Sequence, residues 1–202
     1  MRHTMIVVMC LGLSLLATQA QGALYSYDFS AMGYTHEQGL EGMVLDFATF
    51  TSETGALEYD ATHGGGLRGN VAGTSDIVIA FSEPVYNISV TAGDGGGDDD
   101  AFALTLYNES FLPLGPAINS PVFDDGSDPE WYTLNTTVTG VHFMRFDPGN
   151  AGVLPGVSTS TGGVVMTDFS YCVDVVPVPS AVLLGALGLG VARWRLRKET
   201  TA

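Results

Sequence analysis

Between its two apolar ends the chain is almost without positive charge. Residues 21–175 contain no lysine and only two arginines, Arg68 and Arg145, against 21 of the chain's 22 acidic residues, a formal net charge of −19. Such a surface repels phosphate backbones, which argues against nucleic acid as a partner, and it attracts divalent cations. Cysteine is equally scarce, with Cys10 and Cys172 the only two in 202 residues. Cys10 lies in an N-terminal apolar run expected to be cleaved off, so Cys172 is left without a partner and no disulfide framework is available. In the last strand it reads as a small buried hydrophobe. Helical periodicity is hard to find between the ends. Nucleophilic signatures are missing too: there is no Gly-x-Ser-x-Gly elbow, and His36, His63 and His142 are isolated in sequence. His63 precedes Gly64-Gly65-Gly66, which matches neither a phosphate loop nor a zinc motif and reads as a turn. His142 reads as a structural strand residue. Paired carboxylates could serve a glycosidase, but aspartates packed into one turn are poorly placed to flank a sugar bond. The chain is therefore read as a non-enzyme.

The two ends are where apolar runs occur. Arg2 and His3 precede an apolar run at 5–17 and then small residues, the n-region, h-region and cleavage pattern of a secretory signal peptide over 1–20. At the other end Pro177-Val178-Pro179-Ser180 introduces residues 181–192, twelve positions without a polar side chain, followed by Arg193, Arg195, Arg197 and Lys198. Twelve helical residues reach about 18 Å into a hydrocarbon core about 30 Å thick. Val175 and Val176 before the run, and Trp194, Leu196 and snorkelling arginine stems after it, extend it to a single transmembrane helix with its cations on the cytoplasmic side. A glycolipid-anchor signal would instead finish apolar. The expectation is an exported protein that this helix anchors in the membrane.

The intervening domain, 21–175, is large enough for one core. Period-two alternation recurs along it. Tyr25, Tyr27 and Phe29 share one face of a first strand. Further strands read at 43–50, 56–59, 76–81 (Ile77, Ile79 and Phe81 inward) and 85–92 (Tyr86, Ile88 and Val90 inward). Others follow at 101–107 (Phe102, Leu104 and Leu106 inward), 131–139, 141–146 and 163–173. About nine short strands separated by Gly, Asp, Asn, Ser and Pro imply an all-β, two-layer antiparallel sandwich, a jelly roll.

The C-terminal residues 176–198, with Pro177 and Pro179, the apolar run and the cluster Arg193, Arg195, Arg197 and Lys198, resemble the PEP-CTERM sorting signal of bacterial surface proteins. Val178 stands where that family usually has glutamate. The resemblance implies processing by an exosortase and a role in an exopolysaccharide matrix. The stretch from Ile77 through Ser82-Glu83-Pro84 to Val90, then Gly93-Asp94 and the aspartates at 98–100, is similar to a recurrent ectodomain of such proteins. So is the closing Val165-Met166-Thr167-Asp168-Phe169. That likeness implies a galactose-binding or carbohydrate-binding-module type of jelly roll.

Chemistry concentrates in two acidic loops. Asp94, Asp98, Asp99 and Asp100 surround three glycines, a flexible set of carboxylates able to wrap a hard cation. The spacing is not that of an EF-hand, and the loop is either a calcium site or a solvated acidic turn. A second loop, 124–130, is a weaker version, and Trp131-Tyr132 directly after it reads either as an aromatic platform or as core. The function expected from these features is a structural or adhesive surface β-sandwich binding calcium or an extracellular polysaccharide. The alternative is a secreted carbohydrate-active enzyme or lectin.

Overall fold

A computed structural model describes residues 22–70, 75–94, 101–122, 130–149 and 164–174. The chain divides into two units, Ala23–Val173 and the two termini, Met1–Gly22 with Asp174–Ala202. The termini, apart from Gly22 and Asp174, lie outside the described residues, as do the signal-peptide and sorting-signal segments read from the sequence. Among the described residues no helix is long and apolar enough to cross a membrane.

The central unit is all-β and antiparallel, with a single 3-10 turn at Phe29–Ala31 as its described helix. Its strands are β1 (Ala23–Asp28), β2 (Gln38–Gly39), β3 (Met43–Leu45), β4 (Ala48–Ser52), β5 (Glu58–Asp60) and β6 (Gly66–Arg68). They continue with β7 (Ile77–Asp94), β8 (Ala103–Tyr107), β9 (Ile118–Asn119), β10 (Glu130–Thr136), β11 (Val141–Asp147) and β12 (Val165–Val173).

β7 organises the rest, because its 18 residues serve two layers. Its first part pairs with β4 from Ile77 to Phe81 and with β11 on the other side, continuing to β8 and β9. Its second part, from Val85 on, pairs with β12 on one side and, from Ile88 on, with β10 on the other; β12 carries β1 and β6 on its far edge. Phe50 and Phe81 of the first layer meet Phe169 and Tyr171 of the second, with Phe50 to Phe169 centroids at 5.6 Å and Phe81 to Tyr171 at 5.2 Å. The two layers that β7 joins thus meet in the core through these rings. Rings so enclosed contribute about 1.5–3 kcal/mol each relative to exposure.

The two strands expected at 76–81 and 85–92 are one, β7, which runs straight through Ser82-Glu83-Pro84 although proline cannot donate to a ladder. The strand survives because the β11 register shifts here, from Ala80 opposite Phe143 to Val85 opposite Val141, so Pro84 sits where no ladder bond is required. A second irregularity corrects the inward assignment of Tyr86. Asn87 has φ +49 and forms a bulge against β12, where Ser89 faces Ser170 but Tyr86 faces Cys172. Val85 and Ile88 are therefore both buried, and Tyr86 is turned outward and only half-buried. Residues 43–50 are likewise two strands: Leu45 faces Ala48 across a two-residue hairpin with Asp46 at φ +49, a conformation aspartate tolerates. Cys172 alternates with the buried Tyr171 and Val173 and is half-buried on the outer face, beside Leu24 and Tyr86. Ile77, Ile79, Phe81, Phe102, Leu104 and Leu106 face the core as expected.

The Tyr171 hydroxyl fastens the hairpin to the second layer. It accepts from the Phe47 N–H at 3.3 Å, lies 3.4 Å from the Leu45 carbonyl and meets the Tyr27 hydroxyl at 3.3 Å. Tyr27 donates to Asp46 Oδ2 at 2.7 Å. Burial, followed by these hydrogen bonds, pushes the Tyr27 phenol well above its ordinary value.

Candidate functional site: a groove beside an outward-facing tryptophan

The outer face of the second layer carries the polar half of the period-two pattern. Strand register sets Asp28, Asp168, Thr91 and Thr133 in one row across β1, β12, β7 and β10. A second row, Ser26, Ser170, Ser89 and Asn135, lies beside it. Thr91 and Thr133 hydroxyls are 2.9 Å apart. A bulge in β12, where Met166 faces Ala92 but Asp168 faces Thr91, leaves Thr167 as the extra residue. Its hydroxyl has two acceptors in reach, the Thr91 carbonyl at 3.3 Å and Asp168 Oδ2 at 2.9 Å.

At the end of these rows stands Trp131. It alternates with Tyr132, whose ring packs against the core, and is half-buried on the outer face. The indole lies over Gly64: a Cβ there would overlap Cζ2 and Cη2 of the ring, and Gly64 itself has φ +95. Only glycine gives the turn both this backbone and this close approach. Between the indole, the Ser30 and Thr62 hydroxyls and the β12 bulge runs an open groove of about 560 Å3.

The turn under the indole is held from inside. Asp60, fully buried, accepts from the Thr62 N–H at 2.7 Å and the Thr62 hydroxyl at 2.6 Å, and its Oδ2 lies 2.7 Å from His63 Nδ1. Arg68, also buried, donates to Asp60 and, through Nε at 2.7 Å, to Glu58. His36 accepts the Ala61 N–H at 3.3 Å. Burial alone would raise the Asp60 carboxyl, but hydrogen bonds from Thr62 and His63 and the Arg68 charge overcome it and hold the group at about 2. His63 and the glycines after it form a turn, as read from the sequence, and this network fixes its shape. The other arginine, Arg145, pairs with buried Asp76 and with Glu53 at 3.3 Å. Both arginines of the described residues are thus committed to carboxylates elsewhere, and the outer face of the second layer has neither.

The loop of Asp94, Asp98, Asp99 and Asp100 is described only at its root. Asp94 ends β7 with its backbone opposite Glu130, so the two acidic loops spring from adjacent strand ends. Asp98, Asp99 and Asp100 lie outside the described residues, as do Pro177, Val178, Pro179, Arg193, Arg195, Arg197 and Lys198. Among the described residues no group of three or more metal-binding side chains gathers.

No protein-family model and no curated protein matches the sequence. Eleven solved chains are similar in structure. One is a truncated AlyQ with CBM32 and alginate lyase domains, 12% identical, TM-score 0.35, the match covering 78% of this chain and 36% of that one. The chain thus spans well under half of its length. Another is the family 32 CBM from C. perfringens NanJ in complex with galactose, 7% identical, TM-score 0.29, covering 74% of this chain and 93% of that one. Likenesses of this strength identify neither a family nor a ligand.

Proposed function

We propose that the protein is an exported, non-catalytic glycan-binding module of jelly-roll type, which holds extracellular polysaccharide at the cell surface or in the matrix. The observation that carries this reading is Trp131, an indole left off the core and set at the mouth of a groove whose other walls are hydroxyls and one carboxylate. A flat aromatic face takes the C–H face of a pyranose, while Thr62, Ser30 and Asp168 offer hydroxyl partners at its rim; this is the combination of apolar platform and few convergent polar groups that small-ligand sites use. Affinity electrophoresis against a panel of soluble polysaccharides tests it. Retardation by at least one glycan, abolished by Trp131→Ala with unchanged melting temperature, is the expected result; retardation by none overturns the reading.

The same proposal includes delivery through the sorting-signal-like segment 176–198, with an exosortase as processing partner. Mass spectrometry of cell-derived protein should find chains ending near residue 176, and recovery of only intact chains would count against it. Calcium is proposed at Asp94, Asp98, Asp99 and Asp100, because four carboxylates in seven residues repel one another without a counter-ion. Millimolar calcium should then raise the melting temperature more than magnesium does, and Asp98→Asn with Asp100→Asn should remove the difference.

A further inference from the structure

We propose, resting on the glycan-binding reading above, that the groove selects polysaccharides carrying free amino groups, with Asp168 and Asp28 receiving a sugar ammonium beside the Trp131 face. The argument starts from the register of β1 and β12. Asp28 and Asp168 stand directly opposite each other, both exposed on the outer face. Like charges so placed destabilise a strand pair, and of the two only Asp28 has a structural use, as the cap of the 3-10 turn at Phe29–Ala31. Neither is neutralised from within. Asp28 Oδ1 accepts the Ser30 hydroxyl at 2.5 Å and the Ala31 N–H at 3.2 Å, and Asp168 Oδ2 is 2.9 Å from the Thr167 hydroxyl. Among the described residues neither carboxylate has a cationic partner, because Arg68 and Arg145 are tied to carboxylates elsewhere. The Ser30 hydroxyl holds the Asp28 carboxyl below the usual range.

The groove joins Asp168 to an indole face, since Ser30, Asp168 and Trp131 line one opening, and Asp28 stands behind the lining Ser30, whose hydroxyl it accepts. A ligand that fills it must bring positive charge to the carboxylates and a C–H face to the ring. A hexosamine polymer with unacetylated amines does both, and the ammonium gains further from the ring quadrupole. A uronate polymer meets two carboxylates and no cation, in a domain whose formal charge is −19 over residues 21–175. A neutral glycan gains the ring contact and leaves the carboxylate pair uncompensated.

Calorimetric titration of the full-length protein in detergent, at a pH where the amines are charged, decides it. The ligands are a fully deacetylated glucosamine oligomer, its N-acetylated counterpart, an oligouronate of equal length and oligolysine of equal charge. The amine oligomer should bind at least tenfold more tightly than the acetylated one and than oligolysine, and the oligouronate should not bind measurably. Asp168→Asn should cost the amine oligomer about tenfold and the acetylated oligomer markedly less, whereas Trp131→Ala, with Trp131→Phe as a milder variant, should weaken both alike. Equal or tighter binding of the acetylated oligomer or the oligouronate overturns the amine preference and leaves the glycan reading standing. Oligolysine binding as well as the amine oligomer reduces the effect to surface charge and overturns it too. So does loss of amine-oligomer binding by competition with millimolar calcium that itself fails to compete in Asp168→Asn, because the carboxylate pair is then a metal site.

Discussion

The indole of Trp131 rests on Gly64 so closely that any side chain at that position would occupy the ring's place. β10 carries the ring and the turn before β6 carries its seat, and the seat is shaped by a buried carboxylate. Asp60 binds the turn through Thr62 and His63 and is itself held by Arg68, so a surface platform depends on an internal ion pair.

Gly64→Ala should therefore move the ring. The added methyl overlaps the indole and the φ of +95 is strained for alanine, together costing about 1–3 kcal/mol. Trp131 and Trp194 are the chain's two tryptophans, so in a Trp194→Phe background the emission spectrum reports Trp131 alone. A red-shifted emission with a lowered melting temperature is the expected outcome.

Asp60→Ala should destabilise by about 3–5 kcal/mol, because it takes the fully buried partner from the buried Arg68 guanidinium. The pH dependence has a definite sign. The folded carboxyl titrates at about 2 against an ordinary 3.8, so its contribution is present above pH 3.8 and disappears as pH falls toward 2. Urea unfolding between pH 5 and 2 should show this loss in the parent and a flatter profile in Asp60→Asn.

Asp76 should act in the opposite direction. Burial first, and the nearby Asp147 charge second, push its carboxyl up to about 6 despite the Arg145 partner. The folded state then holds a proton that the unfolded chain, at 3.8, releases. Its contribution is complete below pH 3.8 and is lost as pH rises through 6. Stability measured from pH 4 to 7 should carry this falling component, and Asp76→Asn should lack it. Arg145 in that variant keeps Glu53 at 3.3 Å.

Tyr171→Phe keeps the ring contacts to Phe81 and Phe169 and removes only the hydroxyl. The Phe47 N–H and Tyr27 then lose a partner inside the fold. A loss of about 0.5–1.5 kcal/mol in denaturant unfolding is expected, without change in the denaturant slope.

By itself the sequence determined the all-β class and most of the core. Alternation is a local property: a strand with one face buried must show it, and Ile77, Ile79, Phe102 and Leu104 could be placed from neighbouring residues alone. The polar half of the same alternation, Ser26 and Asp28 or Ser89 and Thr91, was equally visible but carried no meaning until the strands were set side by side. Pairing decided that. Asp28 and Asp168 are 140 positions apart, and only the register of β1 on β12 makes them a carboxylate pair. Trp131 and Tyr132 are alike in sequence as aromatic neighbours, and the ladder with β7 alone sends one ring outward and the other to the core. The bulges at Asn87 and Thr167 belong to the same category, since an extra residue is defined only against a partner strand. Arg68 and Arg145 were counted from the sequence as the domain's only cations. Tertiary structure decided that buried Arg68 is spent on Asp60 and Glu58, because a charge taken from water must be paired where it lands, and Arg145 on Asp76 and Glu53, and so left the described outer face of the second layer without an arginine.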